Sequence, residues 1–254
     1  MLKMMILGRR RGGMTVAQHH RYMTDVHGAM VVGAIAQQPG EMPQRYVQNH
    51  VYDATFRAPK RSSEGFADPL TIARDFVTQV WFSNPQQARA STEAAFYREQ
   101  LQPDEDNFVD QSSVVKLPVS EQTLFDSGAA NVASKLFIFY RCNVQTADTT
   151  ADTTADTTAA DLAAATGAHW QTLLTGYGIE RIVRNTVMGR PGELHTVDLI
   201  DEVWLSSDAA AAALAQRWQT NLTQPALSSL CVPGTGFFLL AHERVMFAGG
   251  AQPS

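Results

Sequence analysis

RYVQNHV at residues 45–51 and RIVRNTV at residues 181–187 share Arg, Val, Asn and Val at matching positions. A second pair, VWFS at 80–83 and VWLS at 203–206, lies downstream of the first in each half. Around these anchors the chain reads twice as strand, helix, strand, strand, helix, strand. In the first half, strands are expected at 3–9, 45–56, 76–83 and 112–117. Its helices are expected at 14–32 and from Asn84 to just before Pro103, where an Asn-Pro pair supplies cap and first turn. In the second half, strands are expected at 135–141, 181–187, 196–205 and 236–247, and helices at 162–174 and 208–222. An internal repeat outranks single-residue signals for architecture. The expected class is therefore α+β, two tandem ferredoxin-like β-α-β-β-α-β repeats with their sheets packed face to face, an intrachain dimeric α+β barrel. The expected domains are 1–125 and 126–254.

Composition narrows the class of function. The chain has 254 residues, 44% hydrophobic and 18% charged, enough to bury a sizeable core. A net charge of -5 argues against nucleic acid, which needs a basic surface. The two cysteines, Cys142 and Cys231, make no metal or disulfide motif, which fits a reducing cytosol and a cytoplasmic protein. No apolar run is long enough to span a membrane. ADTTADTTADTTAAD, residues 147–161, is a tetrapeptide repeat without large apolar side chains. It reads as a surface insertion. Residues 58–69, APKRSSEGFADP, read as a polar excursion that could act as a flap.

Candidate chemistry starts in the first helix, MTVAQHHRYMTDVHGAMVV at 14–32. At α-helical pitch Val16, His19, Met23, Val26, His27 and Met30 share one face, and Thr15 is placed to cap it. His27 is either a core histidine with a satisfied hydrogen bond or a group that moves protons near neutral pH. On the strands, Val47-Asn49-Val51 and Val183-Asn185-Val187 are apolar except for a central asparagine. If apolar alternation marks the helix-facing side, Asn49 and Asn185 lie between helix and sheet, where buried amides need partners. If the loop after the helix of the second half is six residues shorter, His169 is the counterpart of His27. Tyr46, His50 and Trp81 fall on other strand faces by the same alternation and are left out of the catalytic set. Asp104-Glu105-Asp106 reads as an acidic loop without calcium-site spacing.

LGRRRGGMTVAQHHRYMTDVHGAMV and RYVQNHVYD together resemble the first half of an EthD-domain protein of the dimeric α+β barrel superfamily. Tyr22-Met23 and His27-Gly28-Ala29 match the family's helix motif in outline. His19 stands where the family usually has a bulky apolar residue, and Ala29 where it often has Pro. The resemblance implies a compact apolar pocket between sheet and helices. It also implies cofactor-free chemistry, with a loose link to oxidative degradation.

Three functional classes follow. The first is a cofactor-independent lyase, isomerase or cyclase acting on a small hydrophobic carbonyl or aromatic compound. It would use His27 as acid/base and Asn49 to hold an oxygen, with His19, Met23, Asn185 and His169 as binding residues. The second is an oxidoreductase or haem-linked protein with a histidine on iron. The third is a non-catalytic accessory protein of an oxidative pathway. No metal site is expected. The expected partner is a small hydrophobic molecule, with a homodimer as the admitted assembly.

Overall fold

The computed structural model describes residues 1–56, 74–129, 132–142, 154–189, 197–231 and 237–249. The chain divides into two compact units. Unit 1 comprises Met1–Val51, Ile72–Val119 and Glu243–Ser254, and unit 2 comprises Tyr52–Thr71 and Ser120–His242.

In unit 1, strand β1 (Leu2–Arg10) leads to helix α1 (Val16–Tyr22), a π-helical segment (Met23–Gly28) and helix α2 (Ala29–Gln37). Thr15 caps α1 in a reciprocal capping box with Gln18. Strand β2 (Arg45–Phe56) and strand β3 (Phe76–Phe82) follow. Helix α3 (Pro85–Glu93), a second π-helical segment (Tyr97–Leu101) and helix α4 (Gln102–Glu105) precede the long strand β4 (Val109–Asp126). The sheet order is β4-β1-β3-β2, antiparallel. Two expectations are corrected. The first helix is not one α-helix, because its middle is a π segment. The second helical stretch does not stop before Pro103. Pro103 instead sits in α4, which continues directly from the second π segment.

In unit 2, strand β5 (Ser134–Tyr140), helix α5 (Thr154–Leu173), strands β6 (Ile179–Val187) and β7 (Leu199–Leu205), helices α6 (Asp208–Asn221) and α7 (Pro225–Ser228) and strand β8 (Phe237–Phe247) follow in order. The antiparallel order is β8-β5-β7-β6. Part of the expected insertion, residues 154–161, forms the opening turns of α5. Its alanines are strong helix formers and continue directly into the apolar positions of the helix. Residues 147–153, and the flap expected at 58–69, lie outside the described residues.

The paired motifs occupy the same register in each unit. Arg45 faces Trp81 and Gln48 faces Thr78 across β2 and β3. Arg181 faces Trp204 and Arg184 faces Asp201 across β6 and β7. What fills the helix-facing layer differs. In unit 2, Trp170 and Trp218 stack with ring centroids 3.9 Å apart. Beside them Arg184 grips Asp201 in bidentate fashion at 2.8 and 2.9 Å. Trp170 donates to the same carboxylate at 2.7 Å and Tyr140 at 3.1 Å. Leu136, Ile138, Ile182, Leu214 and Phe238 complete this core.

Candidate functional site

The corresponding layer of unit 1 is not filled. It holds a cavity of about 200 Å³, lined mostly by apolar side chains that include Met4, Met23, Phe76, Val80 and Phe108. His27, Tyr46, Thr78, Tyr97, Glu105 and Lys116 bring polar groups to its wall. A concave apolar space with a few convergent polar groups is the usual form of a small-molecule site.

Both π segments border this cavity: the first contributes Met23 and His27, the second Tyr97 and Leu101. π turns inside α-helices recur at functional sites because the extra residue re-aims side chains. That is the effect here. On an α-helix, Tyr22 and His27 would point about 140° apart. The wider π turn lets both reach one carboxylate. The Tyr22 hydroxyl donates to Asp104 Oδ1 at 2.6 Å, and His27 Nδ1 lies 3.0 Å from Asp104 Oδ2. Asn107 adds a third bond at 3.3 Å. Burial opposes ionisation of Asp104, but the bonds from Tyr22, His27 and Asn107 outweigh it and hold the carboxyl below its ordinary range. With Nδ1 tied to an anion, the tautomer is Nδ1–H, and Nε2 is the lone-pair nitrogen. No described residue bonds Nε2, and the ring borders the cavity.

The close approach of this segment to β2 depends on Gly28. A Cβ there would lie 2.8 Å from the Met23 carbonyl oxygen and 2.9 Å from Gln48 Nε2. Gln48 Nε2 donates to that carbonyl and to the Tyr46 hydroxyl oxygen, both at 2.6 Å. Tyr46 therefore keeps its own O–H for a further acceptor. Burial pushes its pKa far above the ordinary value, so it stays a phenol.

The expected strand face is corrected by this geometry. Tyr46 and Gln48 face the helices, while Asn49 faces away. Asn49 Nδ2 donates to the Val77 carbonyl at 2.9 Å and to Gln79 Oε1 at 3.2 Å. Asn185 repeats this on β6, bonding the Ile200 carbonyl at 3.1 Å and Glu202 Oε1 at 2.8 Å. Neither asparagine lines the cavity. Apolar alternation failed as a guide because both faces of β2 are buried, Val47 and Asn49 as fully as Tyr46 and Gln48. Trp81 is also on the far face, under the guanidinium of Arg45. His50 bonds Gln48 Oε1 at 3.1 Å and stacks on His20. His169 stands edge-on to Trp218 in unit 2, with ring centroids 5.2 Å apart, and does not line the unit 1 cavity. Among the residues expected to bind, Met23 alone shares the cavity with His27.

His19 is fully buried, stacked on Phe76, with neither ring nitrogen bonded to a described residue. Burial, helped by the neighbouring His20, lowers its pKa from 6.5 to about 4. The unfolded chain thus takes up this proton near pH 6.5 and the folded chain only near pH 4. The stability that neutral His19 allows is complete above pH 6.5 and is lost as pH falls through that window, by about 3 kcal/mol. We expect His19→Leu to remove most of this loss. Urea unfolding at pH 7 and pH 4 reads it, and an unchanged pH dependence would refute the assignment.

Haem is the one cofactor the sequence left open. A tetrapyrrole is larger than a cavity of about 200 Å³, and among the described residues of its wall Lys116 is the one Lys or Arg to meet two propionates. The residues do not fit that group. Among the described residues no cluster of His, Cys, Asp or Glu could hold a metal ion. No helix among them is long and apolar enough to cross a membrane.

Residues 11–112, which hold most of the cavity's lining, match the protein family described as "EthD domain". No curated protein compared with the chain matches it by sequence. Among solved structures, the chain is similar to an anthrone oxidase-like protein, at 10% identity and a TM-score of 0.58 over 100% of this chain and 96% of that one. It is also similar to a chlorite dismutase variant from Candidatus Nitrospira defluvii, at 9% identity and a TM-score of 0.50 over 96% and 92%. These neighbours are dimeric α+β barrel proteins, and at such identities the likeness concerns fold alone.

Proposed function

We propose that the unit of the chain that carries the EthD match is a cofactor-independent acid–base enzyme. It moves a proton on a small hydrophobic carbonyl or aromatic compound, as a lyase, isomerase or cyclase does. One observation carries this reading: His27 is held by Asp104 through Nδ1, no described residue bonds its other nitrogen, and the residue lines an apolar cavity. A carboxylate on Nδ1 orients the ring and stabilises the imidazolium that forms when Nε2 takes a proton. Removing a proton beside a carbonyl leaves charge on oxygen, and the Tyr46 hydroxyl, whose oxygen already accepts from Gln48, is a donor on the wall placed to receive it. Tyr46 thereby takes the place first given to Asn49. An oxidative reaction with dioxygen would begin with the same deprotonation, so the oxidoreductase alternative shares this step. The two units are read as tandem copies of one design, supported by their common strand order and register. In the second copy the space is taken by Trp170, Trp218 and the Arg184–Asp201 pair.

The test is solvent exchange. Small aromatic and aliphatic ketones are incubated with the protein in deuterium oxide and followed by NMR. The reading expects deuterium at the carbon beside the carbonyl of at least one bound ketone, above the buffer rate. Ketones that bind in the cavity and never exchange would overturn it.

A further inference from the structure

The two cysteines are separated by 88 intervening residues in the sequence, yet the fold sets them opposite each other. Cys142 and Cys231 form an isolated antiparallel bridge in unit 2, and both are free thiols. The backbone N–H of Cys142 donates to Asp198 Oδ2 at 2.6 Å, and that of Cys231 to the Leu227 carbonyl at 3.2 Å. Neither donates to the other residue. This is the behaviour of a non-hydrogen-bonded antiparallel pair, in which Cα atoms sit about 4.5 Å apart and side chains approach most closely. That separation lies within the range a disulfide spans without backbone movement. We infer that Cys142 and Cys231 are a redox-active pair that closes to an intrachain disulfide across this bridge when the protein meets a disulfide oxidant such as oxidised glutathione.

The order of events follows from exposure. Cys142 is buried, whereas Cys231 is partly open to solvent. The Cys231 thiolate attacks the oxidant, releasing one glutathione thiolate and leaving a mixed disulfide. The Cys142 thiol then loses its proton, its sulfur attacks the Cys231 sulfur, and the second glutathione thiolate departs. The net change is two cysteine thiols and one glutathione disulfide to one cystine and two glutathiones. The Asp198 carboxylate, already bonded to the Cys142 backbone, stands beside that thiol to take the proton. Burial pushes the Cys231 thiol up to about 11 and Cys142 higher still, so thiolate is scarce at neutral pH. Closure should therefore be slow at pH 7 and accelerate steeply with pH. The bond would enclose α5, β6, β7, α6 and α7 in one long loop, and a long loop constrains the unfolded chain strongly.

The experiment uses the full chain, incubated with oxidised glutathione at pH 7 and pH 9 and then alkylated. The expected results are loss of both free thiols and a Cys142–Cys231 linked peptide by non-reducing mass spectrometry. Tm should rise by roughly 10 °C, reversed by dithiothreitol. Cys231→Ser, changed at the less buried site, should abolish all three. A mixed disulfide that accumulates at Cys231 without closing, a cross-linked pair of chains, or two thiols that persist at pH 9 would each overturn the inference.

Discussion

Asp201→Ala is expected to lower the stability of unit 2 by about 3–5 kcal/mol, the usual cost of removing one partner from a buried ion pair. Asp201 has no exposed surface, and its carboxylate accepts two bonds from Arg184, one from Trp170 and one from Tyr140. Truncation leaves the Arg184 charge buried with only neutral acceptors, the Ala163 carbonyl and Thr166 Oγ1. It also strips the indole and phenol of their acceptor. Losing the ion pair is a different matter from losing the charge. The double variant Arg184→Met with Asp201→Ala removes both ions and should recover part of the loss, because no uncompensated charge remains. Chemical denaturation of the two variants beside the parent chain measures this. A single variant within 1 kcal/mol of the parent, or a double variant worse than the single, would mean the pair does not anchor the core.

The same comparison explains what could be read from residues alone. RYVQNHV and RIVRNTV, aligned in sequence, also share a strand register, since Arg45 and Arg181 each face the tryptophan of the next strand. Thr15 and Asn84 cap the helices they were expected to cap, because capping is a local matter of one side chain and the next turn. Asn49 was misplaced because sheet sidedness is a tertiary property. When both faces are buried, polarity along the strand no longer distinguishes them. Tyr46 was lost to the same error. Asp104 escaped notice because its partner His27 is 77 residues away. The one local clue was the Tyr22/His27 spacing. It becomes informative only once the helix is known to include a π turn, and α-helical periodicity hides such a turn. Val16 and Val26, assigned to the buried face at α-helical pitch, are among the exposed large apolar residues.

His27→Asn should leave the fold and ligand binding intact while turnover falls by a factor on the order of 100 to 10,000, the usual share of a general acid–base group. Asparagine keeps a polar head of similar reach toward Asp104, so the Tyr22–Asp104 bond has no reason to break. What disappears is the second ring nitrogen, the only part of His27 free to exchange a proton with a molecule in the cavity. Asp104 touches no substrate in this reading and acts as a positioning residue. Asp104→Asn should lower kcat with KM little changed, since binding rests on the apolar wall while ring orientation rests on the carboxylate. Tyr46→Phe removes the donor to the developing oxyanion and should cost about 100- to 1,000-fold. Gln48 keeps its bond to the Met23 carbonyl in that variant, so β2 should stay docked against the π segment. The three variants separate catalysis from packing when thermal melts, ligand affinity and the exchange rate in deuterium oxide are read together. If His27 served packing alone, His27→Asn would lose stability and binding in step while the folded fraction stayed fully active. A folded, fully active His27→Asn protein would remove His27 from the mechanism, and with it the role given to Asp104.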